Sequence, residues 1–269
     1  MKRRKIVSRE YKVMLQAPKF AGPRKQLVVT ARRLWEDFSR AIGPVVVAAG
    51  GTLETIEKER LIVFLDSDAQ HLRAGGYIFR VRRPLEGAQP QVTLKFRHPD
   101  RYVAESRQMK SRRIQTEAKF EEDIKAPFVS LYSFSTSGDI GKKPVPSTLD
   151  DVSRLFPDLS KRLGEVDGRH RLSQVNGFTA RELVITGATM TIGTKPKVEC
   201  ECALIVWYDQ NASAAEPVAV EFSYRYGDTK GRYDGKAAKR ALAIFETLQR
   251  ELTDWVDPNP RTKTAFVYG

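Results

Sequence analysis

Charged residues alternate with apolar ones along several short segments of this sequence, and their types suit chemistry on phosphate groups. Glu10 and Lys12 lie two apart in one segment, Arg80 and Arg82 in another, and Lys95 follows in a third. Arginine and lysine neutralise phosphate oxygens, while carboxylates hold a divalent ion that bridges those oxygens. The pattern therefore predicts a site that binds a polyphosphate together with a divalent ion such as Mg²⁺.

Further charged residues with this spacing occur later in the chain. They include Glu121, Glu199, Glu201, Glu221 and Arg225. A spacing of two places side chains on one face of a β-strand. Each charged face could simply look at solvent, as in a half-buried antiparallel sheet. Taken together, faces that mix both signs favour the interior of a closed barrel, where opposite charges pair or a charged ligand and water fill the lumen.

The elements that must position these residues are mostly strands. Two helical segments, near 30–43 and 235–255, carry apolar stripes that must cover the outer face of a sheet. We therefore predict an α+β fold, a closed and mostly antiparallel β-barrel with helices packed outside. Residues 98–116 and the Ser-, Gly- and Pro-rich stretch 130–147 are predicted to be loops. One domain over residues 1–269 is expected, with a two-lobe division near 126–146 as the alternative.

The charge balance points to an anionic partner. Lysine and arginine outnumber the acids 46 to 33, which gives a net charge of +13. Such an excess suits nucleic acid, a membrane surface or a phosphorylated small molecule. The basic stretches 1–5 and 97–113 keep nucleic acid open, but they carry few aromatic residues on which bases could stack. A homodimer is also left open.

No apolar run approaches the ~18 residues of a membrane-spanning helix. The segment after the basic N-terminus contains Arg9, Glu10 and Lys12, so it does not form the apolar part of a secretory signal. We therefore expect no membrane association and a cytoplasmic location.

Several of these segments resemble a known family. The run Ser8–Lys12 resembles the Glu-x-Glu-x-Lys signature of the CYTH superfamily, the triphosphate tunnel metalloenzymes. Phe64–Ser67 is similar to the family's aromatic-Asp-Thr segment. Gly76–Arg82 resembles its Gly and Arg-x-Arg strand, and Thr93–Lys95 its Thr-Leu-Lys strand. The acidic strands follow in the order that the family has.

The resemblance implies an eight-stranded antiparallel tunnel that binds a triphosphate and holds Mg²⁺ or Mn²⁺ with glutamates. Family activities include inorganic, thiamine and RNA triphosphatases and class IV adenylyl cyclase. The implied phosphate-binding residues are Lys12, Arg80, Arg82, Lys95, Arg169, Arg171 and Arg225. The implied catalytic residues are Glu10, Lys12 and Glu121, and the implied metal ligands are Glu10, Glu199, Glu201 and Glu221.

One departure from the signature concerns the metal. Ser8 stands where the family has its first glutamate, and losing a carboxylate lowers the negative charge that attracts Mg²⁺. This change is expected to weaken metal binding. From the resemblance as a whole we still expect a metal-dependent hydrolase of a triphosphate substrate. The alternatives are a non-catalytic polyphosphate- or nucleotide-binding module and a class IV cyclase-like lyase.

Overall fold

Nine strands form one closed sheet within the residues that the computed structural model describes, namely 3–85, 89–111, 113–212, 215–228 and 230–269. The strands are β1 (Ser8–Leu15), β2 (Ala48–Asp66), β3 (Tyr77–Pro84), β4 (Gln91–His98), β5 (Glu117–Lys125), β6 (Val129–Asp139), β7 (Ser173–Thr194), β8 (Lys197–Asp209) and β9 (Ala219–Gly227). The helices are α1 (Arg24–Ile42), α2 (His71–Ala74), α3 (Arg101–Glu105), α4 (Leu149–Leu155), α5 (Asp158–Leu163), α6 (Gly235–Glu251) and α7 (Lys263–Tyr268).

The closed barrel confirms the predicted α+β fold class. Around the ring the order is β1-β5-β6-β4-β3-β2-β7-β8-β9, and β9 returns to β1. In the described part of the chain, β1 and β5 form the one parallel pair and the other neighbours are antiparallel. The ring has nine strands, one more than the eight expected.

The stretch 130–147 was predicted to be a loop, and for most of it this prediction is wrong. Val129–Asp139 forms β6, which pairs with β4 and β5. This strand lies within residues 126–146, the segment considered for a two-lobe division. Ser135 and Ser137 line the lumen, while Phe134 packs into an apolar cluster on the other face. Serine is common in loops, but here it suits a strand whose inner face meets charged side chains.

Two other predicted boundaries differ from the structure. The predicted loop 98–116 contains the short helix α3, and the Asp100 side chain caps it by accepting hydrogen bonds from the backbone N–H groups of Tyr102 and Val103. Helix α1 begins at Arg24, earlier than predicted. Part of the basic stretches 1–5 and 97–113, namely Met1, Lys2 and Arg112, lies outside the described residues.

An apolar layer between the barrel and helices α1 and α6 fixes which strand residues point inward. Tyr11 of β1 stacks on Tyr224 of β9 with ring centroids 5.0 Å apart, and it also contacts Phe245 of α6 at 5.2 Å. Phe38 of α1 packs edge-on against Phe222 at 5.0 Å. Each such fully buried side chain contributes about 1.5–3 kcal/mol. Because strand residues alternate, the neighbours of Tyr11 are turned away from this layer.

Strand β1 closes the ring between two distant parts of the chain. It pairs along one edge with β5 and along the other with β9. On the outer face, Arg9 Nε donates to Glu122 Oε2 at 2.6 Å and Arg9 Nη1 donates to the Tyr226 hydroxyl at 2.7 Å. One arginine thus ties together the three strands that meet at the closure.

The C-terminal residues lie against one part of the lumen. Phe266, Val267 and Tyr268 join an apolar cluster that includes Phe64 and Trp207. The residues that precede them, 262–264, line the lumen itself. Among the described helices, none is both long and apolar enough to cross a membrane.

Candidate functional site

The barrel encloses a cavity of about 350 Å³ whose walls are dominated by charged side chains. The basic residues that line it are Lys12, Arg60, Arg80, Arg82, Lys95, Arg97, Lys119, Lys125, Arg225 and Lys263. The acidic ones are Glu10, Glu117, Glu121, Glu182 and Glu221. Ten cationic side chains therefore face five glutamates around one cavity, which is open to water at Glu117, Lys119 and Arg225.

The strands bring together eight of the predicted site residues in this cavity. They are Glu10, Lys12, Arg80, Arg82, Lys95, Glu121, Glu221 and Arg225. Each belongs to a strand whose apolar residues face outward, as Tyr11 and Phe222 do on β1 and β9. The inward and outward alternation of the sequence thus places these charges on the lumen side.

Asp123 is the central carboxylate of one side of the lumen. Only 1% of its surface is exposed, and it accepts from Lys12 Nζ at 2.9 Å, from Lys95 Nζ at 3.0 Å and from Arg97 Nη2 at 3.4 Å. Lys12 also contacts Glu10 at 2.8 Å. We name Asp123, Lys12, Lys95, Arg97 and Glu10 the Asp123 cluster.

The charges of the Asp123 cluster shift one another's titration. Burial alone would raise the pKa of Asp123, but Lys12, Lys95 and Arg97 hold it well below its usual range. Burial acts to lower the pKa of Lys12, yet the carboxylates of Asp123 and Glu10 raise it overall. In Lys95 burial dominates, with Arg97 and Lys12 adding repulsion, so its pKa falls to about 8 despite the attraction of Asp123.

A second buried carboxylate, Glu182, holds another part of the wall. It accepts from Arg60 Nε at 2.7 Å and from Trp207 Nε1 at 2.8 Å. Burial would raise the pKa of Glu182, but Arg60 and Lys263 lower it to about 2. Glu182 is therefore ionised and fixes the position of Arg60 at the cavity.

Arg80 and Arg82, which we name the arginine pair, have no carboxylate partner among the described residues. Arg82 Nη1 donates to the side chains of Gln91 and Thr93, each at 3.3 Å. The Nε atoms of Arg80 and Arg82 are buried and lack a hydrogen-bond partner in the described part of the chain. Burial, and then the charges of Arg80 and Arg60, lower the pKa of Arg82. Positive charge on this side of the lumen is thus poorly compensated.

The predicted metal ligands are not brought together. Glu10 contacts Lys12, and Glu221 contacts Lys263 Nζ at 3.0 Å. Glu201 is 71% exposed, lies at a second cavity beside the lumen and pairs with Arg225 at 2.6 Å. Glu199 is exposed and pairs with a neighbouring lysine outside the lumen. The described residues contain no group of three or more metal-ligating side chains, so they do not form a ready-made Mg²⁺ or Mn²⁺ site.

Two predicted phosphate-binding residues lie away from the lumen. Arg169 is exposed and pairs with Asp167 two residues earlier, at 2.9 Å. Arg171 is exposed in the same connection before β7 and forms a backbone bridge with Thr148. Neither is among the residues that line the cavity, because this connection lies outside the strands of the ring.

Sequence reasoning missed several residues of the lumen. Arg60 and Glu182 lie in long strands, each directly before an apolar run whose facing the sequence left unclear. Asp123 shares the alternation of Glu121 and could have been included. Lys263 follows the last predicted helix, where no pattern marked it.

No protein-family model and no curated protein matches this chain. Its structure is similar to that of a proposed adenylyl cyclase from Hippeastrum, described as having a dominant triphosphatase activity, at 13% identity and a TM-score of 0.47, over 97% of this chain and 95% of that one. A proposed adenylate cyclase from Bacillus halodurans is similar at 13% identity and a TM-score of 0.39, covering 98% and 99% of the two chains. One from Vibrio parahaemolyticus has 8% identity and a TM-score of 0.36, covering 99% and 100%.

Residues of this chain itself bear on the resemblance seen in the sequence. Eight of the residues that it singled out line one enclosed lumen, within a ring of nearly all antiparallel strands. The closed barrel and its charged lumen agree with the architecture that the sequence resemblance implies.

Proposed function

We propose that the lumen binds a linear triphosphate and that the chain hydrolyses it. The observation that carries the proposal is the surplus of cations around one cavity, above all the arginine pair, which has no carboxylate partner among the described residues. Arginine presents several N–H donors in a geometry that matches phosphate oxygens. A polyanion in the lumen would supply the missing negative charge.

The shape and the surface favour a small polyanion over a nucleic acid. A duplex cannot enter an enclosed space of about 350 Å³. Cations of the basic stretches are also engaged by the protein: Arg4 lies 4.4 Å from the centroid of the Phe134 ring and Arg107 lies 4.1 Å from that of Phe96. Arg97 points into the lumen. These contacts leave fewer free cations for a phosphate backbone on the outer surface.

In the proposed reaction, water attacks the terminal phosphorus in line with the bridging P–O bond. That bond breaks as the new one forms, so inorganic triphosphate gives orthophosphate and pyrophosphate, and the proton of the water passes to a phosphate oxygen or to solvent. Negative charge then shifts onto oxygens that Arg80, Arg82 and Lys95 are placed to stabilise. The Asp123 cluster fixes Lys12 and Lys95 before the substrate arrives, which lowers the cost of ordering them. Glu121 lines the cavity, and we assign to it the orientation of the attacking water.

A divalent ion enters this proposal only as a companion of the phosphates. Mg²⁺ at phosphate sites commonly takes one or two carboxylates together with phosphate oxygens and water. Because the described carboxylates form no preassembled cage, we derive no step of the reaction through Mg²⁺ or Mn²⁺.

One observation favours a second candidate, a polyphosphate- or nucleotide-binding module without turnover. Each predicted metal ligand is paired with a lysine or arginine of the chain. If hydrolysis depends on a metal held by these glutamates, the lumen would bind a triphosphate without cleaving it.

The deciding experiment measures phosphate release from inorganic triphosphate and from ATP, with Mg²⁺, Mn²⁺ or EDTA. Lys95→Ala removes a lysine of the lumen, and Lys161→Ala removes an exposed lysine of α5 as the matched control. Release that is lost in Lys95→Ala and kept in Lys161→Ala supports the hydrolase. No release, with heat stabilisation by triphosphate, supports the binding module instead.

Two further outcomes lie outside the proposal. Pyrophosphate and a cyclic nucleotide formed from ATP would identify a cyclase-like lyase. If triphosphate is neither hydrolysed nor able to stabilise the protein against heat, the proposal of a phosphate-binding lumen is contradicted.

A further inference from the structure

The carboxylates buried in the lumen already have cationic partners from the chain. Asp123 accepts hydrogen bonds from two lysines and one arginine, as described above. Glu182 is bound by Arg60, and Glu221 by Lys263. A metal ion that used these carboxylates would have to displace ammonium or guanidinium groups that are themselves fixed in the wall.

The net charge of the cavity also opposes a free divalent cation. Ten lysines and arginines line it against five glutamates, to which the buried Asp123 adds one more negative charge. Repulsion between like charges is strong where little water screens them. An empty lumen is therefore a poor site for Mg²⁺ alone.

The same surplus favours a polyanion without the help of a metal. Arg80 and Arg82 line the cavity without a carboxylate partner among the described residues, so an incoming phosphate meets cations that no carboxylate of the chain pairs with. Lys95 and Arg97 need not leave Asp123 to contact a phosphate, because each carries further N–H groups. Phosphate oxygens can thus be neutralised by the protein itself.

We infer that the lumen binds triphosphate without a divalent metal, because lysines and arginines of the chain occupy the charge-neutralising role that a metal would otherwise have. This inference rests on the proposed function and concerns the binding step alone. Whether cleavage requires a metal is a separate property of the same site. The ligand class is a linear polyphosphate with several adjacent anionic groups.

The first test compares the midpoint of thermal unfolding in four conditions: EDTA alone, Mg²⁺ alone, inorganic triphosphate with EDTA, and inorganic triphosphate with Mg²⁺. We expect triphosphate to raise the midpoint in EDTA and Mg²⁺ alone to leave it unchanged. Stabilisation that appears only when Mg²⁺ and triphosphate are both present overturns the inference and leaves the proposed function standing. An absence of stabilisation by triphosphate in both buffers contradicts the proposed function itself.

The second test uses Glu10→Gln, with Glu221→Gln as an independent variant in case the first does not fold. Each change removes a carboxylate that is paired with a lysine of the lumen. Calorimetric titration with inorganic triphosphate, in EDTA and again in Mg²⁺, should give each variant the same change in affinity in both buffers, because no metal held by these carboxylates contributes to binding. An affinity that falls about tenfold in Mg²⁺ but not in EDTA would mean that a metal held by these carboxylates assists binding, and it would overturn the inference.

Discussion

The two sides of the lumen handle buried positive charge in opposite ways. In the Asp123 cluster, Lys12 lies 2.8 Å from Glu10 and 2.9 Å from Asp123, and the pKa of Lys12 is raised. In the arginine pair, Arg82 contacts only neutral side chains among the described residues, and its pKa is lowered by burial and by neighbouring arginines. The same barrel thus contains a compensated and an uncompensated set of cations.

This contrast separates stability from binding. Removing one partner of a buried ion pair strongly lowers the free energy of unfolding, because the remaining charge has neither a counter-charge nor water around it. A buried cation without an anion costs free energy until a ligand supplies the anion. We therefore assign the Asp123 cluster to the preorganisation of the site and the arginine pair to the capture of substrate.

The largest expected effect breaks the compensated side. Asp123→Asn leaves Lys12, Lys95 and Arg97 without their shared anion, and we expect the free energy of unfolding to fall by about 3–5 kcal/mol. Urea denaturation at neutral pH measures it. Asp167→Asn is the control, since among the described residues that exposed carboxylate pairs with Arg169 alone, and the midpoint of this variant should not move. An Asp123→Asn protein as stable as the original would contradict the role of this cluster.

A change on the uncompensated side should affect the affinity for triphosphate and leave the stability of the fold largely unchanged. Arg82→Gln removes a buried cation that lacks a carboxylate, so we expect unfolding free energy to be unchanged or slightly higher. Affinity for inorganic triphosphate should fall about tenfold, or about 1.4 kcal/mol. Titration calorimetry beside Arg169→Gln, an exposed arginine outside the lumen, measures the difference. Equal affinities of the two variants would remove the distinction between the two sides.

Lys95 shares a feature with each side of the lumen, because it pairs with Asp123 and yet has a lowered pKa. The pH dependence of triphosphate binding tests its role. Its pKa lies at about 8, lowered by burial from an ordinary value of 10.5, so the free site loses this positive charge as pH rises through about 8. We expect affinity for triphosphate to decrease between pH 7 and pH 9. Lys95→Arg should flatten that profile only in part, because Lys125 also lines the lumen and burial lowers its pKa to about 8 as well. Calorimetry at each pH tests this, and a flat profile in the unchanged protein would contradict it.

The same shift affects stability with the opposite sign. Between about 8 and 10.5, the unfolded chain keeps the proton on Lys95 that the folded chain has lost. The ligand-free protein should therefore gain stability from this group as pH rises through that window.

The smallest effect is expected at the mouth of the lumen. Arg225 and Glu201 are 2.6 Å apart, yet both side chains are more than half exposed. Exposed ion pairs contribute little because water and salt screen them, so Glu201→Gln should change the free energy of unfolding by less than about 0.5 kcal/mol. A loss as large as that of Asp123→Asn would show that this pair belongs functionally with the buried cluster.

Alternation along the strands was the part of the architecture that the sequence could predict. Tyr11 and Val13 on one face, with Glu10 and Lys12 on the other, indicated both the inner and the outer surface of β1. The Arg80 and Lys95 strands had equally clean alternation and were placed correctly at the lumen. Apolar residues that pack against the outer helices determine which face of a strand points outward. Shifting the strand by one residue would turn its charged side chains into the apolar layer.

The partners of the charged residues could not be predicted in this way. Strand register decides that Lys12 and Lys95 meet at Asp123, and register depends on neighbours far away in the chain. Strand β6 was missed because its small inward-facing serines, such as Ser135, resemble a loop in composition. Arg169 was misplaced because its position depends on a connection between elements, which no periodicity describes.

The position of β1 also has a consequence for how the chain folds. The side chain of Arg9 joins Glu122, 113 residues away, to Tyr226, 217 residues away. To form contacts between residues this far apart, the chain must lose much conformational entropy before any stabilising interaction is made. Proteins dominated by such contacts fold slowly. During synthesis, the first strand must wait for the last strand of the ring before both its edges are covered. Until then it presents an unpaired edge, so the newly made N-terminal half is the part of the protein most exposed to aggregation.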